Sequence, residues 1–191
     1  MKFEDGTDMQ LYRQTVEDFA LYTGKELTET ELAQLREAAG KMSAKMRAVR
    51  IVSASSVSKK DLMQRLVQKG EDPAQAQEAV AWMSDLNLLD DRKTAEQVVH
   101  RCISKGYGMA RAKQALYEKR IPKEFWEDAL ADYPDQTEHI ADFLRSRLGE
   151  SWSDKDLHKA IDALMRRGHN YSQIRKALQT LSEDWDFAED F

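Results

Sequence analysis

The chain has 191 residues, a formal net charge of −5 and 33% charged residues, with 8 glycines and 3 prolines. Many charges with few helix-breaking residues favour helices over an all-β architecture, so we expect an all-α protein. No apolar stretch approaches the roughly 20 residues that cross a bilayer, and the amino terminus lacks a secretory signal, so we expect a soluble, cytoplasmic protein without a membrane partner.

Residues 1–42 are predicted to form an N-terminal helical extension. Thr28 and Glu31 have the spacing of a capping box, which predicts that a helix begins there and runs on past Gly40, a weak point. Residues 1–24 have an ambiguous pattern, for which a short helix near residues 16–22 and a strand near Leu11 both stay open.

Three similar segments recur about 50 residues apart, and each has the pattern of the basic end of a helix. They are Leu66–Gly70, Leu116–Arg120 and Leu164–Gly168. Apolar residues recur every three to four positions along three segments around each of them, which is typical of amphipathic helices. We therefore predict an elongated, curved array of three tandem three-helix repeats after the extension. The predicted boundaries are 43–91, 92–136 and 137–182 for the repeats, and 183–191 for an acidic tail.

The ends of these helices carry recognisable signals. Ser58 and Ser153 each precede an aspartate by three residues, close to a capping box, and Asp72 precedes a proline at a helix start. Gly70 and Gly168 stand where a chain leaving a helix adopts a left-handed conformation. The middle repeat has Arg120 at this position, so we expect its helix to end without the left-handed residue.

The sequence lacks the groupings that catalysis or metal binding requires. The four histidines form no H-E-x-x-H pair, and there is neither a phosphate-binding P-loop nor a G-x-S-x-G nucleophile turn. The paired aspartates at 90–91 and at 154 and 156 fit helix starts better than metal sites. We predict no enzyme activity, no cofactor and no metal, and we interpret Cys102 as a small buried apolar residue.

Positive and negative charges alternate in blocks, with the first two helices of each repeat basic and the third acidic. If the repeats stack, basic residues of the first two repeats could align as one binding edge for an acidic partner or nucleic acid, which we call the basic stripe. The basic stripe consists of Arg47, Arg50, Lys59, Lys60, Arg65, Lys69, Arg101, Lys105, Arg111, Lys113, Lys119 and Arg120. The alternative is that these residues are solvated and pair with acidic neighbours inside the array.

Four tryptophans invite a comparison with base-stacking proteins. Trp82 and Trp126 lie at apolar or nearly apolar positions of third helices, so packing is the favoured interpretation. Trp185 lies in the acidic tail, which could dock on a partner, although a disordered end is favoured.

Several motifs together resemble the RecX family. They are Leu88-Leu89-Asp90-Asp91 followed by Ala95, Gly108 with Arg111, Lys113, Gln114 and Leu116, Ser58 with Lys60-Asp61-Leu62 and Lys69-Gly70, and Gly24-Lys25 with Leu27-Thr28. The resemblance covers roughly residues 20–181. The chain departs from the family pattern at Glu71 and Thr94, where apolar or aromatic residues are usual, and at Arg120, where glycine is usual.

The resemblance implies a regulatory protein that binds the RecA recombinase filament, lies along its groove and restrains its recombinase and ATPase activities. It also implies a role in recombination, repair and the SOS response. We expect a monomer, with single-stranded DNA as a weaker second ligand. Two alternatives stay open: a helical single-stranded nucleic-acid-binding module without a RecA partner, and a generic helical adaptor.

Overall fold

The structure, a computed structural model, describes residues 1–3, 6–149 and 152–184, with side chains as far as residue 181. These residues form ten α-helices, and β pairing among them is limited to an isolated bridge between Lys2 and Asp8. The predicted all-α class is therefore confirmed. Trp185 and the acidic tail beyond it lie outside the described residues. No helix in the described ranges is long and apolar enough to cross a membrane.

The chain divides into two compact units, of which the first is Met1–Asp90. Its helices are α1 (Arg13–Asp18), α2 (Glu29–Ala54), α3 (Lys59–Gln68) and α4 (Pro73–Asp85). The short helix α1 begins and ends a few residues earlier than predicted. The predicted capping box at Thr28 and Glu31 is formed, and α2 then runs unbroken through Gly40. The proposed boundary at residues 42 and 43 therefore lies inside a helix.

Close packing of α2 against α4 builds the core of the first unit. Ala44 and Ala48 of α2 and Ala76 of α4 are fully buried, together with Leu62 and Leu66 of α3. Small residues let the helix axes approach, and Gly40 extends this contact because a Cβ atom there would lie 2.3 Å from the Gln75 side chain.

The second unit is Asp91–Phe191. Its helices are α5 (Asp91–Ser104), α6 (Met109–Glu118), α7 (Trp126–Leu130), α8 (Thr137–Leu148), α9 (Asp154–Arg166) and α10 (Tyr171–Asp184), with a 3₁₀ turn at Lys123–Phe125 before α7. One apolar cluster joins α5, α6 and α7, and another joins α8, α9 and α10. The second unit thus contains two three-helix groups, and α2, α3 and α4 form a third group in the first unit.

Cysteine and tryptophan side chains contribute to packing. Cys102 is 6% exposed in the cluster of the middle group, and burial raises the pKa of its thiol. The Trp126 indole packs on the same cluster and donates a 3.0 Å hydrogen bond to the Ile121 carbonyl. Trp82 and Trp152 are half-buried against the clusters of the first and last groups. The packing interpretation of Trp82 and Trp126 agrees with these contacts.

The second helix of every group ends in the same way. Gly70, Arg120 and Gly168 all have positive φ, at 88°, 53° and 88°. In each case the next residue donates its N–H to a carbonyl five positions back, which is the Schellman motif. Our expectation for Arg120 is therefore wrong. Ile121, the residue after Arg120, is 4% exposed in the core, and its burial holds Arg120 in the left-handed conformation.

Candidate functional site

The side chains of the basic stripe differ in exposure, and three of them form ion pairs with carboxylates of the chain itself. Its exposed members are Arg50, Lys59, Lys60, Lys69, Arg101, Lys105 and Lys113, and Lys119 and Arg120 are half-buried. Arg47, Arg65 and Arg111 each form an ion pair within their own unit. Pairing with acidic neighbours thus applies to Arg47, Arg65 and Arg111, and a binding role for the exposed residues stays a prediction.

Arg47 is bound by a buried carboxylate. Glu71 is 8% exposed, and its Oε1 atom accepts from the Arg47 guanidinium and, at 3.0 Å, from the Ser43 hydroxyl. Glu71 occupies the position after a left-handed residue, where an apolar contact is usual. The two donors from α2 compensate the buried charge, which explains how the chain accommodates this departure from the family pattern.

Arg65 and Arg111 are held by residues of their own helices. The Arg65 guanidinium lies 2.9 Å from the buried Asp61 carboxylate, one turn earlier on α3. Arg111 lies 2.9 Å from Glu118 on α6, and this contact raises the pKa of Arg111 and lowers that of Glu118. These side chains present less free charge to a partner than the sequence suggests.

A large apolar side chain is exposed at the same place in all three groups. Val67, Tyr117 and Met165 each follow the fully or almost fully buried leucine near the end of the second helix, and they are 40%, 68% and 48% exposed. Basic residues stand two positions after each of them, at Lys69, Lys119 and Arg167. The chain therefore carries three copies of an apolar position followed by positive charge.

Helices α9 and α6 meet end to end through backbone atoms. Gly108, the N-cap of α6, donates to the Arg167 carbonyl at 3.0 Å, and Ala110 donates to the Gly168 carbonyl at 3.3 Å. These carbonyls satisfy N–H groups that a serine or aspartate side chain caps elsewhere. A Cβ atom on Gly108 would lie 2.0 Å from the Gly168 carbonyl oxygen, so glycine is required at this junction.

A buried histidine and a half-buried tyrosine fix the loop that leads into α6. His169 is 3% exposed, and its Nε2–H donates to the Gly106 carbonyl at 3.0 Å. Burial lowers the pKa of the imidazole, although this hydrogen bond opposes the shift, and the nearby Arg167 charge lowers it further. The Tyr133 hydroxyl donates to the Tyr107 carbonyl at 2.6 Å, and burial raises its pKa to about 12.

The junction brings three arginines together beside an aromatic ring. A groove of about 290 Å³ is lined by Tyr107, Arg111, Ala163, Arg166 and Arg167, and we call it the arginine groove. Only Arg111 of this group belongs to the basic stripe. In the sequence, the other two arginines appear only as the pair Arg166-Arg167 at the end of a helix. Their approach to α6 depends on the fold.

A second depression, of about 510 Å³, is lined by residues of α5 alone, including His100 and Arg101. Because its lining comes from a single helix, it brings no groups together from different elements. No three histidine, cysteine, aspartate or glutamate side chains converge as metal ligands in the part of the chain that the structure describes.

The chain is similar in sequence to regulatory proteins of one family. The family described as RecX, second three-helix domain, matches residues 90–130. A regulatory protein RecX from Xanthomonas axonopodis pv. citri is 34% identical over 142 residues, covering 72% of this chain and 87% of that protein. A regulatory protein RecX from Vibrio campbellii is 29% identical over 146 residues, covering 75% and 94%.

Solved structures show the same fold. A crystal structure of a regulatory protein RecX matches with a TM-score of 0.65 at 18% identity, covering 92% of this chain and 91% of that chain. A crystal structure of RecX from Lactobacillus salivarius matches with a TM-score of 0.63 at 24% identity, covering 76% and 98%.

Proposed function

Because this chain belongs to the RecX family of regulatory proteins, we propose that it binds the RecA recombinase filament in the cytoplasm and restrains its strand-exchange and ATPase activities. It acts as a monomer, its effect comes from binding without catalysis, and it needs no cofactor. Exposed members of the basic stripe, among them Arg50, Lys60 and Lys113, contribute charge to the contact, whereas Arg47 and Arg65 serve the first unit's own structure.

The threefold recurrence of an exposed apolar residue at Val67, Tyr117 and Met165 supports a polymeric partner. A filament of identical protomers presents the same surface at regular intervals, and a repeat protein can match it with one modest contact per repeat. Linked contacts multiply, so the combined affinity exceeds that of any single site by orders of magnitude. Scattered single apolar residues are common on protein surfaces, and recurrence at equivalent positions is what sets these three apart.

A strand-exchange assay tests the proposal. We expect the protein to suppress RecA-catalysed strand exchange and RecA ATPase activity, and to be retained by RecA filaments formed on single-stranded DNA with nucleotide. If strand exchange proceeds unchanged at a stoichiometric excess of the protein, the proposal fails. Binding to single-stranded DNA but not to RecA would instead favour the alternative of a nucleic-acid-binding module.

A triple variant tests the recurring position itself. We expect Val67→Ser/Tyr117→Ser/Met165→Ser to lose inhibition far more than any single change, because linked contacts multiply. The matched control is Tyr22→Ser/Leu88→Ser/Tyr171→Ser, which removes three similarly exposed apolar side chains from positions that do not recur. Circular dichroism establishes that both variants are folded. Equal inhibition by the two variants would remove this position from the binding surface.

A further inference from the structure

We propose that the arginine groove binds the phosphate backbone of single-stranded nucleic acid, with a base stacked on Tyr107. This site lies outside the basic stripe except for Arg111, and its argument is independent of the RecA partner. The groove is built where α9 ends against the start of α6.

The groove gathers positive charge with little compensation. Its lining includes the side chains of Arg111, Arg166 and Arg167, and no carboxylate among the described residues lines it. Glu118 forms an ion pair with Arg111 at 2.9 Å, and no carboxylate in the described part of the chain forms one with Arg166 or Arg167. Arg166 is exposed, and Arg167 lies with its guanidinium carbon 4.5 Å from the centre of the Phe143 ring, which restricts its orientation.

Backbone packing holds the arginines in place. A Cβ atom on Gly168 would lie 2.3 Å from the Arg111 nitrogen, so only glycine allows α6 to come this close to Arg167. The hydrogen bonds of Gly108 and Ala110 then fix the separation of the two helix ends. A site on such a rigid frame loses little conformational entropy when it binds a ligand.

The chemistry of the lining favours a single strand over other anions. Guanidinium groups match phosphate oxygens with two parallel hydrogen bonds. Tyr107 adds a half-buried aromatic ring beside these cations, and an unpaired base can stack on such a ring. Bases in a duplex are already stacked and paired, and an acidic peptide would use the arginines without the ring.

Fluorescence anisotropy with a labelled oligothymidylate of about 20 nucleotides tests the site. Each phosphate contact on a single strand releases about 0.7 counterion, so each arginine lost should weaken binding roughly fivefold at about 0.1 M salt. We therefore expect Arg166→Ala to bind roughly fivefold more weakly, and Arg166→Ala/Arg167→Ala roughly 25-fold more weakly. The slope of log K against log salt should shrink by about 1.4 in the double variant.

Charge-matched and ring-matched controls sharpen the test. Arg145→Ala/Arg147→Ala removes two charges from α8 outside the groove lining and should leave binding almost unchanged. Tyr107→Phe keeps the ring and should bind like the original protein, whereas Tyr107→Leu should bind more weakly. Thermal unfolding of each variant establishes that it is folded, and Arg166→Ala alone avoids any loss of the Arg167 contact with Phe143.

Three results would overturn the inference. The first is that the original protein does not bind the oligonucleotide. The second is that the Arg166/Arg167 variant binds it as well as the Arg145/Arg147 control does. The third is that binding of a polyglutamate peptide requires Arg166 and Arg167, whereas binding of the oligonucleotide does not require them. That result would make the groove a site for acidic peptides. RecA inhibition is measured in a separate assay, so a variant that loses oligonucleotide binding but keeps RecA inhibition, or the reverse, can be identified.

Discussion

A single carboxylate shows how a basic residue can serve the fold rather than a partner. Glu71 is buried in the first unit, and Arg47 and Ser43 compensate its charge. The side chain of Arg47 is 38% exposed, so part of the pair is screened by water. The sequence assigns Arg47 and Arg50 the same role in the basic stripe, and only the fold shows that Arg47 is paired with a buried carboxylate.

The two arginines should respond differently to removal. We expect Arg47→Ala to lower the free energy of unfolding by about 1–2 kcal/mol, since it leaves the buried Glu71 charge with one donor fewer. Arg50→Ala, at an exposed position of the same helix, should stay within about 0.5 kcal/mol of the original protein. Urea unfolding measures both values. Equal losses would mean that Glu71 needs no compensation from Arg47.

At the scale of helices, local capping signals could be predicted from the sequence. Thr28, Ser58, Asp72 and Ser153 all cap the helices that the sequence assigns to them, because each cap involves residues two or three positions apart. The left-handed Arg120 could not be predicted, because it depends on the burial of its neighbour Ile121 in the core of the folded unit.

The arginine groove could not be predicted for the same reason. Gly106-Tyr107-Gly108 has the pattern of a plain turn, and Arg166-Arg167 that of a basic helix end. Their meeting depends on residues about 60 positions apart in the chain, a separation that local spacing rules do not cover. The basic stripe likewise follows from the sequence positions of the charges alone, and these do not show which side chains pair with carboxylates of the same unit.

Two glycines at equivalent helix ends allow backbone strain to be separated from steric contact. Gly70 and Gly168 share φ of 88°, but a Cβ atom on Gly70 meets nothing within 4 Å, whereas one on Gly168 meets the Arg111 backbone. We expect Gly70→Ala to cost about 1–2 kcal/mol from left-handed strain alone. Gly168→Ala should cost a further 1–3 kcal/mol or so from overpacking.

Chemical denaturation of both glycine variants measures the difference. The Gly70 variant is the internal control, because its substitution imposes the same backbone conformation without the clash. Similar stability losses in the two proteins would show that the contact between α9 and α6 yields easily.

The whole molecule combines a division into two compact units with three helical groups. The division falls at Asp90 and Asp91, next to the boundary proposed between the first and second repeats. Within the second unit the middle and last groups share the backbone junction of α6 and α9. We propose that these two groups fold as one unit even though each has its own apolar cluster.

Fragments test this dependence. We expect residues 91–191 to unfold in one cooperative transition, and residues 91–136 alone to lose most of their helix content, because α6 then lacks the carbonyls that cap its first turn. Circular dichroism during thermal unfolding measures both. A cooperative, helical 91–136 fragment would show that the middle group is autonomous.

The backbone junction also bears on how such a chain can change over time. Because the bonds between α9 and α6 involve main-chain atoms and two glycines, most side chains on both helices can be replaced without altering the distance between them. The distance between Tyr117 and Met165 is therefore set by the backbone junction and not by the chemical nature of these two side chains. Substitutions can therefore change the exposed side chains of α6 and α9 during evolution, while the distance between these two helices stays the same.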